Sequence, residues 1–116
     1  MGRRNRQRDR LKAPTSSYDG AGGAVLELRG AMTPATRREY AAVLHDVSRT
    51  TEDTWQRAVE FLFERLAVRW TINEVPTEGQ RELLMRFRVA SQEERHFVRD
   101  AIRRHLAEHF PDVEAP

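Results

Sequence analysis

The chain has 116 residues, 39% of them hydrophobic and 33% charged, with no cysteine and a net charge of +2. That suffices for one domain with a modest core under a charged surface and is too short for two. Disulfides and thiolate metal sites are excluded. No apolar run approaches the roughly 18 residues of a membrane span, and the basic start lacks the apolar stretch of a secretory signal; a soluble intracellular protein is expected.

Charge is unevenly distributed. Residues 1–12 carry Arg3, Arg4, Arg6, Arg8, Arg10 and Lys12 against Asp9, a net of +5, and the remainder has a net of −3. Lys12 is the only lysine among 20 basic residues, a bias that fits a GC-rich genome better than selection for guanidinium chemistry. The first 22 residues hold almost no apolar side chains and cannot offset the entropy of ordering. They are expected to form a disordered basic arm (1–22), with Gly20, Gly22 and Gly23 as a flexible joint. A single domain over 23–112 and a short acidic tail at 113–116 complete the organisation.

Within that domain, Val25 to Arg29 alternates and reads as a short strand ending at Gly30. One strand cannot stand alone. It must pair with residues near Ser16–Tyr18 or with another copy, which would make a homo-oligomer. Thr33-Pro34 caps a first helix, with Tyr40, Val43, Leu44 and Val47 on one face. Thr50 or Thr51 caps a second, whose stripe is Trp55, Ala58, Val59, Leu62, Leu66 and Trp70, widened by Phe61 and Phe63. The stretch TINEVP breaks the pattern at Pro76. Thr77 with Gln80 suggests a capping box for a third helix carrying Leu83, Leu84 and Phe87. Ser91 with Glu94 opens a fourth, with Phe97, Val98, Ala101, Ile102, His105 and Leu106 inward and Pro111 as its stop. The expected fold is mainly α, a compact bundle of about four helices with a short N-terminal β element.

The chemistry on these elements is thin. His105-Leu106-Ala107-Glu108-His109 has the spacing of an inverted zinc-hydrolase motif. A zinc site also needs a third ligand and an open position, and the few residues after His109 offer none. His105 is expected half-buried beside Leu106, and His109 in the last turn favours the helix dipole. His45-Asp46 are adjacent on a helix and point apart. There is no nucleophile elbow or phosphate-binding loop. No catalytic residue, cofactor or metal is assigned, and the chain reads as a non-enzyme. Trp55 and Trp70 read as core or semi-core anchors, the Trp70 indole reaching a free carbonyl at the break. The basic arm offers a second reading, salt-dependent nucleic-acid binding through Arg3, Arg4, Arg6, Arg8, Arg10 and Lys12.

From Val25 onward the order of elements resembles the tail assembly chaperones of long-tailed bacteriophages. The strand-like VLELRG leads into MTPATRREYAAVLHD. A helix ending at FERLAVRW is followed by the break TINEVPTEGQRELL, and ERHFVRDAIRRHLAEHFPD closes the chain. The arginine-rich leader lies outside that pattern. The resemblance implies a non-enzymatic protein of the host cytoplasm, absent from the finished virion. Such a protein binds the tape-measure protein, keeps it soluble and assists polymerisation of tail-tube subunits around it. Phe61, Phe63, Trp70, Phe87 and Val89 are the candidate partner contacts, since they lie off the narrowest core stripes or beside the break. A structural adaptor kept in the particle, such as a head–tail connector, is a further alternative.

Overall fold

The computed structural model describes residues 14–116. Two strands, β1 (Thr15–Asp19) and β2 (Val25–Arg29), are followed by helices α1 (Pro34–Leu44) and α2 (Thr51–Leu66). A second pair, β3 (Ala67–Ile72) and β4 (Val75–Glu78), leads to α3 (Gln80–Arg88) and α4 (Gln92–His109). The four strands form one antiparallel sheet in the order β1-β2-β3-β4. The expectation of a mainly α bundle is therefore corrected to a mixed α/β fold. The four helices are present, but the β element is a complete sheet.

The β1–β2 pairing runs through Tyr18 opposite Leu26, so the strand expected at Val25–Arg29 finds its partner within the chain, near Ser16–Tyr18. Residues 15–19, assigned to the arm from composition, thus belong to the sheet. Residues 1–13, with all six basic side chains of the arm, lie outside the described residues.

The larger correction concerns the second half of the sheet. The spacing of Leu62, Leu66 and Trp70 carries a helix through Trp70, but α2 ends at Leu66 and the chain passes directly into β3. Val68, Thr71 and Ile72 are β-branched and favour the pleated surface over a helix. The break at TINEVP is a two-residue hairpin turn. Asn73 and Glu74 both have positive φ, 50° and 66°, as a type I′ connection requires. Asn adopts that region more readily than Glu. Glu74→Gly is expected to stabilise the fold by about 0.5–1 kcal/mol, read as a raised denaturant midpoint. Thr77 falls in β4, so it does not cap α3; Gly79 does, with no side-chain acceptor.

Alternation makes the sheet two-faced. Tyr18, Leu26, Leu28, Ala67 and Trp70 are buried on the inner face. On the outer face Ser17, Glu27, Arg69 and Glu78 form one cross-strand row. Arg69 there bridges Glu78 at 2.6 Å and Glu27 at 3.7 Å. The helices cover only the inner face. Leu62, Phe63, Leu66, Leu83, Val98, Ile102 and Leu106 meet the strand residues there in a single core.

Helix ends follow the sequence more closely. Thr33, Thr50 and Ser91 accept the Thr36, Asp53 and Glu94 amides respectively. Ser91 and Glu94 complete a reciprocal box. The Ser91 amide and Arg86 both bond the Glu94 carboxylate, and together they hold its pKa below the usual value, the amide contributing most. Val47 lies past the end of α1 and is 98% exposed, so it takes no part in that helix's buried face.

Candidate partner-binding groove

The first turns of α2 and α4 stand side by side with the end of α3 between them. They leave an open groove of about 570 Å³. Glu52, Trp55, Gln56 and Val59 line the α2 wall, and Glu93, Arg95, His96 and Arg99 the α4 wall. Phe87 of α3 also lines it.

Phe87 is held from behind. Phe87 stacks on Phe63 at 4.9 Å between ring centroids, and Phe63 meets Trp70 edge-on at 5.6 Å. An aromatic ladder therefore runs from the sheet to the groove. Phe87 and Val59 are almost fully buried, while Trp55 keeps 42% of its surface exposed. A tryptophan left half in water at the mouth of a groove is the kind of anchor that partner surfaces use.

Two arginines lie over this aromatic lining. The Arg95 guanidinium sits 5.3 Å from the Phe87 centroid, and that of Arg99 sits 5.0 Å from Trp55. Such a placement over an aromatic face is favourable for guanidinium. Arg95 donates to the Arg88 carbonyl at 3.0 Å, and Arg99 reaches the Pro116 main-chain oxygen at 3.4 Å. The Arg99 Nε is buried and has no hydrogen-bond partner among the described residues.

The residues singled out from sequence divide between core and surface. Phe63 and Trp70 are buried in the core, at 0% and 1% exposure, and cannot touch a partner. The Trp70 indole N–H has no hydrogen-bond partner among the described residues, against the expectation that it would reach a carbonyl; Trp70 lies in mid-strand, away from any frayed helix end. Phe61 is half-buried, stacked on Tyr40 and covered by Arg65. Phe87 lines the groove, and Val89, just past α3, is 76% exposed. Reasoning from sequence missed Trp55, Val59, Arg95 and Arg99 as groove residues. The four-residue spacing of Arg95 and Arg99 was the available signal.

The two histidines of HLAEH are engaged elsewhere. His105 is fully buried, not half-buried as expected. Its Nε2 lies 2.8 Å from the Arg29 carbonyl and its Nδ1 lies 2.8 Å from the Tyr18 hydroxyl. The carbonyl can only accept, so Nε2 carries the proton and Nδ1 accepts from Tyr18. Neither nitrogen is free for a metal. Burial lowers the His105 pKa, with the Arg29 bond opposing and the neighbouring His109 adding. Burial likewise raises the Tyr18 pKa, helped by Glu108. His109 Nε2 meets the Ser16 hydroxyl at 2.9 Å. Glu108 lies 3.8 Å from that same nitrogen, so it does not orient the imidazole from the far side as a catalytic triad requires. Among the described residues, no group of three or more His, Asp or Glu side chains is arranged to hold a metal ion. No helix among them is long and apolar enough to cross a membrane. No protein family, curated protein or solved structure matches the chain.

Proposed function

We infer that the chain is a non-enzymatic tail assembly chaperone that holds an amphipathic helical segment of a tape-measure protein in the α2–α4 groove. The sequence resemblance from Val25 onward supplies the family reading, although the stretch that it took for a helix end and a break, AVRWTINEVPTE, is the β3–β4 hairpin. The observation that carries the binding mode is the groove itself, apolar at Trp55, Val59 and Phe87 and rimmed by charge. Its walls are two helices, the arrangement into which an amphipathic helix lays its apolar face. The tape-measure protein is long and helical, and its apolar stripes need cover until tail-tube subunits enclose them. The work belongs in the host cytoplasm, before the particle is complete.

Co-expression of the full chain with the tape-measure protein of the same genome is expected to raise the soluble fraction of that protein several-fold and to allow co-purification. Trp55→Ala removes the exposed anchor with little core penalty and is expected to remove most of the effect. An unchanged soluble fraction, with no co-purification, would refute the proposal.

A further inference from the structure

The groove has a second property, independent of its apolar lining. On the α4 wall Arg95 and Arg99 are four residues apart, so they rise about 6 Å along the helix and share one face. Neither is paired with an Asp or Glu carboxylate within 4 Å among the described residues, and Arg99 has one N–H directed at the Pro116 main-chain oxygen, whereas Arg86 and Arg88 on α3 are paired with Glu94 and Glu60. Both guanidiniums are held over aromatic rings and are partly preorganised. The facing wall carries Glu52, also in a first turn. Glu93 stands on the α4 wall beside the two arginines, which leaves that wall net basic and the facing wall acidic.

We propose that the groove selects a helix with two carboxylates at i,i+4 on one flank, seated against Arg95 and Arg99. Its other flank is neutral or basic beside Glu52, so the charge pattern also fixes how the helix is rotated about its axis. The spacing is the argument: helices lying side by side share a 1.5 Å rise per residue. A Glu pair four apart then meets an Arg pair four apart without bending either backbone. Bidentate guanidinium–carboxylate contact adds directionality that a lone charge would lack. The inference rests on the groove being the helix-binding site, and it adds which helices that site accepts.

The test uses the intact protein and three synthetic 18-residue helical peptides sharing one leucine stripe. One flank carries glutamate at i,i+4, glutamine at the same positions, or arginine there. Binding is read from Trp55 emission, with buried Trp70 as a constant background and Trp55→Phe as the control. At low salt the glutamate peptide is expected to bind about tenfold tighter than the glutamine peptide, the scale of two partly exposed ion pairs. The arginine peptide should be weakest, and 0.5 M salt should compress the differences. In Arg95→Gln/Arg99→Gln, which keeps both side chains long and polar, the glutamate preference should disappear. Arg95→Glu/Arg99→Glu should reverse it. Equal binding of all three peptides would overturn the charge rule while leaving the groove as a helix site. Failure of every peptide to bind would overturn the rule as well. The co-expression experiment then decides separately whether the chaperone reading stands.

Discussion

Replacing Trp70 with alanine is expected to cost about 3–5 kcal/mol, the range for truncating a large buried aromatic. A domain of this size has a net stability of roughly 5–15 kcal/mol, so much of the chain should be unfolded in mild urea. The reason is position. Trp70 is 1% exposed on the inner face of β3, paired with Leu26 and Thr77 on its neighbours. It packs against Phe63 and lies under the Arg86 guanidinium at 5.2 Å. Loss of the ring undercuts the ladder through Phe63 to Phe87, so the groove should loosen along with the core. Trp70→Phe is expected to behave very differently. Its smaller ring leaves a partial cavity, but it also deletes an indole N–H that has no partner, and a buried unpaired donor is itself destabilising. The two effects oppose, and the net loss should stay near 1 kcal/mol. Urea denaturation of the two variants separates the cases. A tryptophan-to-phenylalanine loss as large as the alanine one would mean that the indole N–H makes a bond after all.

The same residue shows why the fold was only half legible. The helix starts were readable because capping is local: Thr33, Thr50 and Ser91 each satisfy an amide three residues on, and the residue types announce it. That Val25–Arg29 needed a partner followed from the impossibility of a lone strand, with residues near Ser16–Tyr18 one of the two partners open to it. The β3–β4 hairpin was hidden because Trp70 falls four residues after Leu66, which continues a helical stripe. It also alternates with Val68 and Ile72, which begins a strand. Short apolar runs carry both periods at once. The positive-φ turn at Asn73-Glu74 lacks the glycine that usually marks it, so the deciding signal was missing. Once β3 is a strand, Trp70 and Phe63 turn inward and leave the candidate contact surface. The groove was harder still, because it depends on how far apart α2 and α4 stand, and no periodicity encodes a distance. Phe87 was named for lying off a stripe, and the structure places it at the groove through contacts with Phe63 and Arg95.

Replacing His105 with leucine should be the costliest polar substitution, and it should also remove part of the acid sensitivity of the fold. His105 joins three elements: its α4 ring donates to the β2 carbonyl of Arg29 and accepts from the β1 hydroxyl of Tyr18. Leucine fills the space but leaves a partly buried carbonyl without its donor, a loss of about 1–3 kcal/mol, and unties the edge strand β1. That exceeds the 1 kcal/mol scale typical of a single substitution. Burial holds the folded-state pKa of His105 below its ordinary value of 6.5. Between those two values the unfolded chain binds a proton that the folded chain refuses, so stability rises with pH there. The contribution is fully present above about 6.5 and is lost as pH falls toward the folded-state value. The groups around the ring set the end of that loss. Once protonated, Nδ1 donates to the Tyr18 oxygen, and the Tyr18 hydroxyl must turn its own proton to Glu108 Oε2, 3.4 Å away. His109 at 4.7 Å and Arg104 over the Tyr18 ring oppose the added charge, while Glu108 favours it. The tie between α4 and β1 therefore weakens without breaking. Urea midpoints measured from pH 8 to pH 5 should slope downward in the parent chain and flatten in His105→Leu. An equal slope in both would remove His105 from the account.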